Sequence, residues 1–389
     1  MRILFAHNYY KHRGGEDAVV ANEQALLAAH GHDVRLHQDS NARISGAWAA
    51  ARTAVQTPYS VEARARMSEE IREFAPDVVH VHNFFPLLTP SIYDACREAC
   101  VPVVQTLHNY RTVCASALLM RSGRVCEECL DGSPWRGALH GCYRGSRLAS
   151  LALTRMIDMH RRRRTWHNKV DRFIALTEFA KGRFIAAGFP PERISVKPNF
   201  VEDRACPSTS SQGALFVGRL SPEKGVRTLL RAWAEIDFPL SIVGDGPLLG
   251  EARDAESAGI TVHGGLPPDA VADHMSRAAF LVFPSEWYEG FPMTLLEAFR
   301  QGLPVIASRL GAMAEIIEDE VTGLHFMPGD PADLAKKVRW AADHPEDMQR
   351  MGAAARRIYE ARYTPEVNYH QLATVYEQTI AGSRKTAGR

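Results

Sequence analysis

Ala279-Phe280-Leu281-Val282-Phe283-Pro284-Ser285, closely followed by Glu289-Gly290-Phe291-Pro292-Met293-Thr294-Leu295-Leu296-Glu297, decides how this chain is read. The first run is apolar, of strand length, and closed by Pro284-Ser285. Pro292 suits a first helical position, where a missing N–H costs nothing. Residues 294–301 have helix-forming composition, and Gly302 and Pro304 stop the helix. The stretch thus predicts a strand, a loop and a helix N-terminus, a place that suits an anionic ligand in a doubly wound fold. Glu289 falls in the loop and Glu297 about a turn inside the helix, so one bound molecule can meet both carboxylates.

Outward from this stretch, apolar runs alternate with helical patterns almost end to end. In the first half strands are expected at 2–6, 33–37, 77–81, 102–107, 172–176 and 194–197, with helices such as 16–30, 61–74 and 177–187. Gly31 and Gly188 close two of these helices. The segment 203–212, rich in Ser, Thr and Pro, reads as a linker. After it the pattern restarts, with strands expected at 214–217, 240–243, 260–262, 280–283 and 304–307. Such alternation predicts parallel sheets covered by helices on both faces. The expected fold is α/β: two Rossmann-like domains, 1–203 and 204–364, with parallel sheets facing a central cleft. Residues 331–381 read as helical, broken at Pro365. A last helix, 365–382, is expected to pack back on the first domain through Val367, Leu372, Val375 and Tyr376.

Composition bounds the function. At 389 residues the chain is long for one core, and two domains are the natural expectation. A hydrophobic share of 46%, a charged share of 23% and a net charge of +1 point to no polyanionic partner. Residues 1–6 read as a first strand rather than a targeting segment, and no apolar run approaches the ~20 residues of a membrane span. Seven cysteines without an export signal favour a reducing, cytoplasmic setting.

Two further motifs follow strands of the second half. Gly218-Arg219-Leu220-Ser221-Pro222-Glu223-Lys224-Gly225 brings two cations to a strand's carboxyl end, Arg219 as a planar fork and Lys224 as a point charge, suited to a diphosphate. Val243-Gly244-Asp245-Gly246-Pro247 is a glycine-rich turn where backbone can approach a nucleotide closely. In this order and spacing, with Gly302-Leu303-Pro304-Val305-Ile306-Ala307 and Thr322-Gly323, these features resemble the retaining family 4 glycosyltransferases of the GT-B fold, the group 1 nucleotide-sugar-dependent enzymes. The resemblance covers almost the whole chain and is strongest over 218–323.

The resemblance implies roles. Arg219 and Lys224 would hold the diphosphate of a nucleotide-sugar donor, Glu297 would accept hydrogen bonds from the ribose, and Glu289 would bind the donor sugar. Backbone N–H groups from Gly290, Phe291, Met293 and Thr294 would meet the sugar and β-phosphate. Base selectivity would rest on backbone near 244–246 and 264–266. Many relatives carry Gly where Pro292 stands, which removes one backbone donor here. In the first domain, Arg13-Gly14-Gly15-Glu16 resembles the family's glycine loop against the donor diphosphate. His108 resembles the family's cleft histidine, with His82 read as an acceptor-side residue. The family shows Asp after that histidine, whereas Asn109 stands here, leaving no carboxylate at that position. No residue is marked as a nucleophile on the sugar's far face. The implied mechanism is front-face substitution with retention and no catalytic metal.

Two features fall outside the family pattern. Cys114, Cys126, Cys129 and Cys142, within an insertion at 112–145, suit a structural zinc, with buried free thiols or a redox pair as the alternatives. Residues 144–172 carry nine Lys or Arg against two Asp, peaking at Arg161-Arg162-Arg163-Arg164, and suit an anionic membrane face, a diphosphate-linked acceptor or plain solvent. The expected activity is transfer of a sugar from a nucleotide-diphosphate sugar to a glycan or lipid-linked acceptor, in bacterial cell-surface polysaccharide or glycolipid synthesis. A sugar-nucleotide epimerase of the same fold is the enzyme alternative. A nucleic-acid-binding protein is the non-enzyme alternative, disfavoured because aromatics are not interleaved with the basic run.

Overall fold

Ile3, Leu4, Phe5 and Ala6 are wholly buried, as a strand covered on both faces of a parallel sheet requires. The computed structural model describes residues 1–11, 14–203 and 213–387. In chain order the strands are β1 (Arg2–Tyr9), β2 (Asp33–Ser40), β3 (Val78–Asn83) and β4 (Val103–Leu107), then a small antiparallel hairpin of β5 (Met120–Arg121) and β6 (Arg124–Val125), then β7 (Arg172–Ala175) and β8 (Ile194–Val196). The first sheet is parallel throughout, in the order β2-β1-β3-β4-β7-β8.

The second sheet contains β9 (Ala214–Val217), β10 (Leu240–Val243), β11 (Ile260–Gly264), β12 (Phe280–Phe283), β13 (Val305–Ser308) and β14 (Gly323–Phe326). Its order, β11-β10-β9-β12-β13-β14, is again all parallel and is the doubly wound order that reverses direction beside its first strand. Ligands of such sheets bind outside the carboxyl ends of the strands at the reversal, here the ends of β9 and β12. Those ends carry Gly218-Arg219 and Pro284-Ser285.

The chain divides into two compact units. One comprises Met1–Leu119, Cys126–Asn199 and the chain from Asn368 onward; the other comprises Met120–Val125 and Phe200–Val367. Phe216, Ile242, Phe280, Ile306 and Phe326 anchor the second core. In the first, Ile3, Phe5, Val78, Val104 and Ile174 pack with Leu372, Val375 and Tyr376 of the terminal helix Pro365–Ala387. Val367 of that helix belongs to the second unit.

All eleven strands expected from the sequence are present; the hairpin strands β5 and β6 and the strand β14 are additional, the last a short run that includes Gly323 and His325 yet is buried throughout. The helix Met293–Arg300 begins one residue later than expected, with Pro292 as its cap at φ −76° and ψ 109°. Arg13 and residues 204–212 of the expected linker lie outside the described residues. Among the described residues no helix is long and apolar enough to cross a membrane.

Candidate functional site

Leu295, Leu296, Ala298 and Phe299 bury the inner face of the helix Met293–Arg300, which fixes its first turn at the carboxyl end of β12. The N–H groups of Gly290, Phe291, Met293 and Thr294 have no acceptor among the described residues. This is the open, partly positive end of a helix, the arrangement that binds anions. Glu297 is half-buried, and its carboxylate likewise has no hydrogen-bond partner among the described residues. Burial pushes that carboxyl above the usual range, with Arg300 pulling it the other way.

Lys224 and Glu289 meet directly. Lys224 Nζ lies 2.7 Å from Glu289 Oε1, which also accepts a 2.7 Å bond from Ser285 Oγ. The ammonium also sits 5.5 Å from the Trp287 ring and 5.8 Å from the Phe283 ring. The resemblance assigns these two side chains to different parts of a donor; folding pairs them across 65 positions. Glu289 is 5% exposed, so its carboxylate oxygens depend on these partners rather than on water. Arg219 is exposed and unpaired among the described residues. Asp245 is exposed and accepts from the Gly246 N–H at 2.6 Å.

The glycines of this unit serve backbone packing. Gly225 has φ +70°, and a Cβ there would stand 1.8 Å from the Pro284 carbonyl oxygen. At Gly244 a Cβ would stand 1.8 Å from the Gly218 carbonyl oxygen. The bare Cα of Gly244 thus accommodates the neighbouring Gly218 loop, an internal reason for glycine there beside the expected approach of a nucleotide. That close packing holds the two motifs together at the ends of β9 and β10.

In the first unit, Gly14 and Gly15 are exposed at the start of the helix Gly15–Ala29. A Cβ on Gly14 would meet nothing within 4 Å, so no internal contact demands glycine there. Asp17 closes the turn, accepting from Gly14 N at 2.9 Å and lying 2.7 Å from His7 Nε2. Glu16 was not singled out from the sequence, yet it gathers the strand ends. Its oxygens accept from Asn83 Nδ2 at 2.9 Å and Asn109 Nδ2 at 3.3 Å. Burial of its carboxyl, reinforced by the Asp17 charge, pushes it up to about 8, although the residue as a whole is only half-buried. Here the departure at Asn109 acquires a reason: an aspartate would set a second carboxylate against Glu16, whereas the amide donates to it.

His108 follows β4 and is half-buried. Its Nε2 lies 3.1 Å from His82 Nδ1, with the rings inclined by 20°. Burial depresses its basicity, to a pKa of about 3. His82 is only 3% exposed, so it backs His108 instead of meeting an acceptor, which corrects its acceptor-side reading.

Cys114, Cys126 and Cys129 are free thiols in one insertion, which also holds Cys142. Burial, reinforced by the other three thiols, pushes Cys129 up to about 12. Among the described residues, Glu23, His80 and His82 form the one group with three ligand atoms within 4.8 Å of one another; the cysteines form none. The basic run is partly structural. Arg161 donates to the carbonyls of Gly132 and Leu130 at 2.6 and 2.8 Å, and Arg162 pairs with Asp158 at 3.0 Å. Trp166 is buried, while Leu148 and Leu151 of the helix Arg147–Arg162 are exposed.

Comparison with known proteins follows the same division. Residues 13–204 match the model "Glycosyltransferase Family 4" and residues 208–358 match "Glycosyl transferases group 1". An uncharacterized glycosyltransferase of Methanocaldococcus jannaschii is 32% identical over 168 residues, 42% of this chain and 47% of that protein. The D-rhamnosyltransferase WbpZ of Pseudomonas aeruginosa is 34% identical over 156 residues, 39% of this chain and 41% of that protein. The chain thus spans less than half the length of these relatives. The crystal structure of Anabaena HepE in complex with UDP superposes with a TM-score of 0.69 at 18% identity, covering 97% of this chain and 100% of that one.

Proposed function

Because the chain belongs to the family 4, group 1 glycosyltransferases of the GT-B fold, we propose that it moves a sugar, with retention, from a nucleotide-diphosphate sugar to a glycan or lipid-linked acceptor. The observation that carries this reading is the array at the ends of β9 and β12. There, cations at Arg219 and Lys224, four unoccupied N–H groups and an unpaired Glu297 carboxylate stand on adjoining segments. Each fits one part of the donor: phosphates on the cations and helix end, ribose hydroxyls on Glu297, and sugar hydroxyls on Glu289.

As the glycosidic bond breaks, negative charge grows on the leaving diphosphate. Lys224, already anchored by a Glu289 that Ser285 holds in place, and the helix N-terminus stabilise that charge without reorganising. The leaving phosphate takes the acceptor's proton on the same face of the sugar, which retains configuration and uses no catalytic metal. We assign His108 to the donor sugar by its resemblance to the family's histidine. HepE, whose structure contains UDP, supports a uridine donor as the first to try. The test is acceptor-dependent release of nucleoside diphosphate across a panel of nucleotide sugars. Release with an acceptor supports the reading, whereas a changed nucleotide sugar without any acceptor would make the protein an epimerase.

We place the enzyme in the cytoplasm, at the inner membrane face, in surface polysaccharide or glycolipid synthesis. Exposed Leu148 and Leu151 beside Arg147, Arg155 and Arg162 offer an apolar and basic helix face, which suits anionic lipid. Sedimentation with anionic vesicles at low salt is expected to carry the protein down, and Leu148→Asp with Leu151→Asp to release it; no binding by the unchanged protein contradicts this. For zinc the fit is partial: the other three thiols stand around Cys129, but the four do not reach mutual ligand spacing. Zinc would draw them into a closed site and staple the insertion. About one equivalent per chain, lost in Cys126→Ser, is expected; under half an equivalent, unaffected by the substitution, contradicts it.

A further inference from the structure

Beneath His108 lies a buried file of charged and polar side chains that the donor chemistry does not use. Glu23 is fully buried, and its Oε1 takes an ion pair from Lys197 Nζ at 2.7 Å. Lys197, itself 1% exposed, also donates to Asn368 Oδ1 at 3.1 Å. The other carboxylate oxygen, Oε2, has no hydrogen-bond partner and faces His82 Nε2 at 3.8 Å. His82 Nε2 is likewise buried without a partner, while Nδ1 of the same ring meets His108 Nε2 at 3.1 Å.

We propose that Glu23, acting through His82, fixes the tautomer of His108, holding its proton on Nε2 and leaving Nδ1 as a bare acceptor. The inference rests on the reading that His108 faces the sugar. Electrostatics decides between the two possible arrangements. If His82 carried its proton on Nδ1, the lone pair of Nε2 would face an ionised carboxylate at 3.8 Å, both atoms being buried. With the proton on Nε2, the N–H points at Glu23, and Nδ1 becomes the acceptor for His108 Nε2–H. Glu23 is ionised: burial raises its carboxyl, but Lys197 and its hydrogen bond bring it below the usual range. His108 Nδ1 has no partner among the described residues and, unlike the buried nitrogens of His82, keeps solvent exposure. It therefore receives a hydrogen bond from a sugar or acceptor hydroxyl and donates none.

A metal on Glu23, His80 and His82 is the competing use of these groups. Lys197 already places an ammonium on Glu23, and both nitrogens of His80 are engaged, Nδ1 with Tyr376 at 2.7 Å and Nε2 with Thr106 at 2.8 Å. A cation there would meet a fixed positive charge and displace one of the His80 hydrogen bonds. Glu23 and His82 are accordingly positioning residues.

The test is two-bond nitrogen–proton correlation on protein carrying ¹⁵N-histidine, with His108 assigned by loss of its signals in His108→Gln. Unchanged protein is expected to show the Nε2–H form. The double variant Glu23→Gln with Lys197→Met removes both buried charges together, and His108 is then expected to populate both tautomers. Transfer should fall roughly tenfold in kcat, with donor KM changed less than about twofold. If that variant does not fold, His82→Phe, which leaves the Glu23–Lys197 pair whole, gives the same test. An Nδ1–H form in unchanged protein, or an unshifted Nε2–H form in the folded variants, overturns the proposal. The readout needs no substrate, so an inactive chain with His108 on Nε2–H keeps this inference and loses only the transferase reading.

Discussion

Lys224→Ala is expected to lower sugar transfer by about 10²–10³ in kcat, the usual cost of removing one fixed donor from a site of developing charge. The ammonium is held by Glu289 at 2.7 Å, itself fixed by the Ser285 hydroxyl, and by the faces of Phe283 and Trp287, so its position is set before the donor arrives. Its partner is also affected. Without Lys224, Glu289 keeps only the Ser285 hydroxyl in a nearly closed environment, and its grip on the sugar loosens. Donor KM should therefore rise as well, but less than kcat falls, because charge on the leaving diphosphate peaks in the transition state. Lys224→Arg restores charge without restoring the point-like fit between two aromatic faces, so partial recovery is expected. Steady-state kinetics with the preferred donor decide it. A Lys224→Ala enzyme within about threefold of the unchanged kcat would remove Lys224 from the chemistry.

Gly225→Ala is expected to act on the fold and the site together. The residue sits at φ +70°, and its Cβ would overlap the Pro284 carbonyl, which is backbone and has no flexible end to yield. A left-handed non-glycine costs about 1–3 kcal/mol and overpacking a similar amount, so a loss of about 2–5 kcal/mol is expected. Relief can come only by moving Lys224 away from the strand end that carries Ser285. Thermal unfolding should therefore fall by roughly 5–15 °C for a unit of this size, and donor affinity should fall with it. A variant with unchanged melting temperature would show that the two loops are not packed as described.

These two residues also show what the sequence could convey. Apolar runs such as Phe280–Phe283 and Val103–Leu107 announced themselves because both faces of a parallel strand are buried. The cation motif and the paired glutamates were legible as local patterns beside strand ends. What joins them was not. The Lys224–Glu289 pair spans 65 positions, and Glu23 meets Lys197 across 174, with partners fixed by sheet order and not by spacing. The packing of Gly244 against the Gly218 carbonyl was not legible, because a glycine in a turn looks the same whether a ligand or a neighbouring carbonyl takes the space. Glu16 carried no signal beyond its place after Gly14-Gly15; its two amide donors come from the ends of different strands. His82 looked like a residue at a strand's open end, and only burial separates it from His108.

The most direct test of the donor site is calorimetric titration of UDP, GDP and ADP into the unchanged protein and into Glu297→Ala. The account predicts that one of them binds the unchanged protein. Glu297→Ala should bind it at least about tenfold more weakly, because the ribose hydroxyls lose a charged acceptor. Equal affinity in the two proteins, or no binding by any of the three, would contradict the assignment of a nucleotide-sugar site to the ends of β9 and β12.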